Sequence, residues 1–166
     1  MKYTNAEIYE FIKESNAIED VWDDTSIAES LKAWRYLHNN VGTLYLNDIL
    51  TAHKYILNRL EPHYAGKLRG ELGIDVFIGY HKAVDYWQVG SRVCDWLRHV
   101  NDKKLPQWDE ETIKRFHISF EDIHPFGDGN GRIGRLIYCW MREKMGLPIH
   151  IIYEKEKQEY YKWFRR

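Results

Sequence analysis

The sequence predicts an all-α, mainly helical domain carrying one small β-hairpin. Apolar residues recur at three- and four-residue spacing through most of the chain, and one segment alone alternates as a strand does. A single strand cannot build a sheet core, so that segment reads as an exposed hairpin rather than a β layer. With 166 residues, the chain fits one domain at roughly 100–200 residues per domain. A domain of that size buries about 70% of its unfolded surface around one core.

The elements follow in order. Thr4 and Glu7 are spaced as a capping box, and Ile8, Phe11 and Ile12 give one apolar face. This first helix, about residues 5–19, ends before the acidic turn from Asp20 to Asp24. Ser26 opens a second helix with Ile27, Leu31, Trp34 and Leu37 on one stripe. Asn47 opens a third, carrying Ile49, Leu50, His53, Ile56, Leu57 and Leu60, and Glu61-Pro62 stops it. The segment Ile74-Asp75-Val76-Phe77-Ile78 alternates like a strand and ends at Gly79-Tyr80. Helical spacing resumes at Val89, Val93, Trp96, Leu97 and Val100. After Leu105-Pro106, Asp109 caps a helix bearing Ile113, Phe116, Phe120 and Ile123. Another apolar helix runs from Ile133 to Met145, ended by Gly146 and Pro148, and a charged helix from about Glu154 to Phe164 follows. No repeat, low-complexity tract or linker interrupts residues 1–166.

Composition excludes several classes. Apolar residues make up 44% and charged residues 30%, which is a folded globular balance. A net charge of −1 favours neither nucleic acid nor an acidic membrane as a bulk partner. Cys94 and Cys139 form neither a disulfide scaffold nor a zinc knuckle, read as small buried hydrophobes, and suit a reducing compartment. No signal-like or membrane-spanning apolar run is present, so a cytoplasmic protein is expected.

The chemistry concentrates in His124-Pro125-Phe126-Gly127-Asp128-Gly129-Asn130-Gly131-Arg132-Ile133-Gly134-Arg135. A break between two apolar helices needs no such set of imidazole, carboxylate, amide, guanidiniums and glycines unless it has another task. Pro125 ends the incoming helix, and the glycines permit positive φ and close approach to a ligand. A helix starting near Asn130 points its free N–H groups and positive dipole end into the loop, which is an anion site suited to phosphate. Arg132 and Arg135 lie on neighbouring faces of its first turn and can turn towards one phosphate chain. Asp128 offers the hard oxygen that a phosphate-shared Mg²⁺ requires, and His124 can accept a proton at neutral pH. Gly129 to Gly134 matches G-x-G-x-x-G literally, but no strand precedes it and no βαβ unit surrounds it. A P-loop lacks its Gly-Lys-Ser/Thr, and His117 and His124 lack partners at zinc spacing.

Residues 124–135 match, at every specified position, the motif HPFx[DE]GN[GK]RxxR of the Fic family of AMP-transferring proteins, which the chain resembles over most of its length. Ser15-Asn16-Ala17-Ile18-Glu19 is similar to the family's [ST]xxxE inhibitory motif, which usually continues with Gly or Asn where this chain has Asp20. Ile49 to Leu57 resembles the helix before the family's flap. Gly66 to Arg69 and Val76 to Gly79 resemble the approach to the flap and its strand, with longer spacing between them than usual. Tyr160-Tyr161 resembles a tyrosine pair near the adenine.

The resemblance implies a Fic fold and transfer of AMP from ATP to a Ser, Thr or Tyr hydroxyl of a target protein, with pyrophosphate released. It makes His124 the base and Asp128 the Mg²⁺ ligand. Gly129, Asn130 and Gly131 cradle phosphate oxygens, with a side-chain contact from Asn130, and Arg132 and Arg135 clamp the terminal phosphates. Tyr160 lies by the adenine. The flap, about residues 70–82 with Phe77, Ile78, Gly79 and Tyr80, docks an extended target segment by strand addition. Ser15 and Glu19 are inhibitory, Glu19 pairing with Arg135. A homo-oligomer is compatible with this reading, which involves neither nucleic acid nor membrane. The same scaffold can remove AMP, or transfer phosphate or phosphocholine. Gly131, where phosphate-transferring relatives tend to have Lys, argues for AMP. A silent partner-binding module is the non-enzymatic alternative. His53 reads as a packed helix residue, Tyr160 equally as a staple of the last helix, and Trp34, Trp96 and Trp140 as core.

Overall fold

The computed structural model describes residues 3–40, 42–79, 81–102 and 109–164. Helices α1 (Asn5–Ala17), α2 (Asp24–Asn40) and α3 (Leu46–Leu57) come first, and a one-turn α4 (Arg69–Leu72) precedes the hairpin β1 (Phe77–Ile78) and β2 (His81–Lys82). Then come a 3-10 turn (Tyr86–Gln88), α5 (Val89–Val100), α6 (Glu110–Ile123), α7 (Asn130–Lys144) and the short α8 (Lys157–Tyr161), flanked by 3-10 turns. The expected helical architecture with a small hairpin is what the chain adopts. Leu105-Pro106 and Tyr80 lie outside the described residues.

Helix α7 is central. Every residue from Arg132 to Arg142 is buried, with α6, α2, α1 and α3 packed around it. A helix buried on all sides needs its polar groups matched. Arg135 meets Ser15 and Glu19, while Arg142 meets Glu110 and the Pro148 carbonyl. Helix α1 belongs to the same core, since Phe11 and Ile12 are buried and Phe11 packs on Trp34. Its far end, with Ile18, joins a second cluster of Ile152 and Tyr160 packed by Trp163 and Phe164.

The caps set the boundaries. Thr4 and Glu7 form the expected reciprocal box. Helix α2 starts at Asp24 rather than Ser26, because the Asp23 carboxylate accepts from both the N–H and the hydroxyl of Ser26. Helix α3 starts one residue before Asn47, with the Asp48 carboxylate accepting from Tyr45 N–H. It ends at Leu57, short of Pro62, in a run of turns. The extended segment is shorter than its alternation suggested: two residues pair per strand, Phe77 with Lys82 and Ile78 with His81. Residues 70–72 of the expected flap are helical, as part of α4, with Gly73 ending that turn at φ +67°. Cys94 is exposed, contrary to expectation, because it falls off the stripe Val89, Val93, Trp96, Leu97 and Val100; Cys139 is buried. No helix among the described residues is long and apolar enough to cross a membrane.

Candidate active site

The loop between α6 and α7 is built on a strained residue. His124 ends α6 in the left-handed conformation, φ +49° and ψ +64°, which a non-glycine residue rarely adopts without a compensating purpose. That twist brings its Nδ1 to 3.2 Å from the Glu121 carbonyl. A carbonyl only accepts, so Nδ1 carries the hydrogen and Nε2 keeps its lone pair. Burial lowers the imidazole pKa below 6.5, only partly offset by that carbonyl, so the ring is neutral at pH 7.

Arg69 holds this corner together. It is fully buried, and its Nε donates to the His124 carbonyl at 2.7 Å and its Nη2 to the Ile123 carbonyl at 3.2 Å. The same guanidinium reaches the Ile74 and Val84 carbonyls on either side of the hairpin. A cation on the last carbonyls of α6 also complements that helix's negative end. Sequence reasoning placed Arg69 only on the approach to the flap. Its one local signal is a charged side chain set between Leu68 and Gly70.

Within the loop, the Asn130 side chain accepts from Phe126 N–H at 2.9 Å and donates to Phe126 C=O at 3.0 Å. Both ends of the amide thereby brace the loop. Gly127 lies under Tyr64, and a Cβ there would come within 2.8 Å of its ring. Gly129 has φ +76° and Leu57 beside it. The Gly129 N–H donates to Asp128 Oδ1 at 2.6 Å. The following N–H groups of α7's first turn have no carbonyl behind them within the helix.

Two guanidiniums lie behind those amides, and they are treated differently. Arg135 donates through Nε to Ser15 Oγ at 2.9 Å and through Nη2 to Ser15 O and Glu19 Oε1, both at 2.8 Å. The expected Glu19–Arg135 pair is therefore formed. Burial alone would raise the Glu19 carboxyl, but the charge and hydrogen bond of Arg135, with Arg132 beyond, hold it below the usual carboxylate range. Asp20 stands at φ +57°. The Val21 N–H bonds back to Asn16 O, and the Asp20 N–H to Ala17 O, as in a Schellman turn. Asp is among the few side chains that tolerate this position, so the departure from Gly or Asn leaves the turn intact.

Arg132 is 3% exposed, and its Nη2 lies 3.5 Å from Asp128 Oδ2. Its Nε and Nη1 have no hydrogen-bond partner among the described residues. Tyr160, 4% exposed, bonds His117 Nε2 through its hydroxyl at 2.8 Å and lies under the Arg135 guanidinium. It thus braces Arg135, whereas Tyr161 beside it is 37% exposed. Glu121, missed by sequence reasoning, is buried against Gly134 and His117. Burial pushes its carboxyl up to about 8, so it is protonated at neutral pH. On the hairpin, Phe77 is 66% exposed, Ile78 half-buried, and Gly79 at φ +59°.

No group of three metal-ligating side chains occurs among the described residues. The half-exposed Asp128 carboxylate fits a Mg²⁺ that takes its remaining ligands from phosphates and water.

Comparisons with known proteins show the family and the fold. The Fic/DOC family model matches residues 43–141. Protein adenylyltransferase fic-1 of Caenorhabditis briggsae is 31% identical over 117 residues, which are 70% of this chain and 22% of that protein. Protein adenylyltransferase Fic of Drosophila mojavensis is 29% identical over 139 residues, 80% of this chain and 27% of the relative. The chain therefore spans about a quarter of the length of these relatives. Among solved structures, Fic-1 from C. elegans superposes with a TM-score of 0.79 at 20% identity, covering 96% of this chain and 57% of that one. A Fic family protein from Desulfovibrio desulfuricans G20 gives 0.75 at 23% identity, covering 94% and 55%.

Proposed function

The chain belongs to the Fic/DOC family, and from that premise and the geometry of residues 124–135 we propose that it transfers AMP from ATP to a Ser, Thr or Tyr hydroxyl of a target protein, releasing pyrophosphate. The observation that carries the reading is Arg132, whose buried Nε and Nη1 lack partners among the described residues beside the N-terminus of α7. Buried unpaired donors are costly. Here they supply what a triphosphate requires.

Each residue has a task. The neutral His124 takes the proton of the incoming hydroxyl at Nε2, and the freed oxygen attacks the α-phosphorus as the bond to pyrophosphate breaks. Such general-base help contributes about 10²–10⁴ in rate. The N–H groups of Gly129, Asn130 and Gly131 receive phosphate oxygens once the Asp128 carboxylate turns from Gly129, and Arg132 and Arg135 clamp the terminal phosphates. Asp128 would hold Mg²⁺, which when bound neutralises phosphate charge. Tyr160 serves the nucleotide through Arg135. Phe77, Ile78 and Gly79 of the hairpin align an extended target segment by strand addition.

Glu19 acts as a brake in this reading. Paired with Arg135, it takes the charge meant for the terminal phosphate and leaves ATP misaligned, with Ser15 steadying the same guanidinium. Two unit charges at 4 Å attract by about 4 kcal/mol at an effective dielectric of 20, before desolvation is subtracted. A net 1.4 kcal/mol suffices for a tenfold loss of productive binding.

The test is mass spectrometry of lysate proteins incubated with Mg²⁺, ATP and wild type, Glu19→Gly or His124→Ala. An AMP adduct that rises with Glu19→Gly and disappears with His124→Ala is expected. A phosphate adduct, or loss of a pre-existing AMP, would transfer the site to the alternative chemistries, and no change with any variant would leave a binding module.

A further inference from the structure

His53 has both ring nitrogens engaged inside the protein, and its partners fix the tautomer. Gly66 N–H can only donate, so Nδ1, 2.9 Å away, accepts. Nε2 therefore carries the hydrogen and donates to the Asp128 carbonyl at 2.9 Å. The ring is 0% exposed and stacks on Phe126, with centroids 3.7 Å apart and planes within 8°.

A trans peptide points its carbonyl and its N–H in opposite directions. Turning the Asp128 carbonyl towards α3 thus turns the Gly129 N–H away from α3, to the side where Asp128 Oδ1 accepts it. Gly129, at φ +76° and without Cβ, puts little steric hindrance in the way of rotating this peptide. Rotated, it would set a carbonyl oxygen where an anion needs a donor. We propose that His53 is a positioning residue, whose Nε2–H locks the Asp128–Gly129 peptide with its carbonyl in the core and its N–H facing the anion site. The inference rests on the nucleotide-binding reading of this loop and adds a residue that touches no substrate. Leu57 beside Gly129 gives bulk to the same wall but has no donor to offer.

The experiment uses the Glu19→Gly chain with His53 intact, His53→Phe or His53→Gln. Phe keeps the stack on Phe126 and drops both hydrogen bonds. Gln keeps one acceptor for Gly66 and one donor for Asp128. Selective ¹⁵N-glycine labelling gives at most 12 backbone amide signals, from the 11 native glycines and the one introduced at position 19, with Gly66 and Gly129 among them. His53→Phe should move both signals and cut label transfer from α-labelled ATP, at saturating ATP, by about tenfold or more. His53→Gln should restore both signals and most of the rate. A Gly129 signal unmoved by His53→Phe overturns the proposal, as does a rate lost equally in Phe and Gln in step with thermal stability. If the signals respond as expected while the His53-intact chain transfers no label, the nucleotide reading fails and the peptide lock stands.

Discussion

Glu19 Oε1 accepts from Arg135 Nη2 at 2.8 Å while filling the space over Gly131, where a Cβ would overlap it. Charge holds the carboxylate on one side, and the lack of a side chain admits it on the other. The pair thus depends on a residue within the first turn of α7.

Gly131→Ala should therefore release the brake without touching Glu19. The added methyl displaces the carboxylate from Arg135, and label transfer from ATP should rise several-fold, towards the level of Glu19→Gly. An unchanged rate in Gly131→Ala, with Glu19→Gly activated, would show that Glu19 does not act from its present position.

Arg132→Met separates stability from binding. The native side chain buries two donor atoms unpaired among the described residues, so its replacement should raise the stability of the ligand-free chain by about 1 kcal/mol, read from urea unfolding. ATP affinity should fall roughly tenfold to hundredfold, since hydrogen bonds to a charged group are worth about 1.5–3 kcal/mol each. Intact affinity would remove Arg132 from the phosphate site.

The pH–rate profile of Glu19→Gly reports His124. Burial keeps this base neutral below its ordinary 6.5, so transfer should be level at pH 7 and above and fall only as pH drops below 6.5. A profile falling already between pH 8 and 7 would point to another base.

Glu121 gives a stability signature of known sign. Its folded pKa of about 8 lies above the ordinary 4.5. Between those values the folded chain holds one proton more than the unfolded chain. Stability therefore falls as pH rises, by roughly 1.4 kcal/mol per pH unit. Glu121→Gln removes this slope. Parent and variant should unfold at similar urea concentrations at pH 5, with the variant the more stable by at least ~2 kcal/mol at pH 8. Parallel pH curves would contradict the buried, protonated carboxyl.

Local rules made the helices and their faces legible in the sequence. The Thr4–Glu7 box, the Asp109 cap and the stripes of α1, α2, α5 and α6 depend on spacing alone, and each forms. The twelve-residue segment 124–135 was legible because its chemistry has no place where two core helices meet. Sequence could not show how side chains are spent. The Asn130 amide braces the Phe126 backbone, and Tyr160 faces His117 and Arg135. Arg69 and Glu121 have long-range or buried partners that no spacing rule encodes. Helix starts shifted by one or two residues where Asp23 and Asp48 outcompeted the expected openers.

The most direct test is a paired labelling of Glu19→Gly with ATP carrying its label on either the α- or the γ-phosphate. Protein-bound label from the α position only, abolished by His124→Ala, is the predicted result. Label arriving from the γ-phosphate, or α-label that survives His124→Ala, would contradict AMP transfer by this histidine.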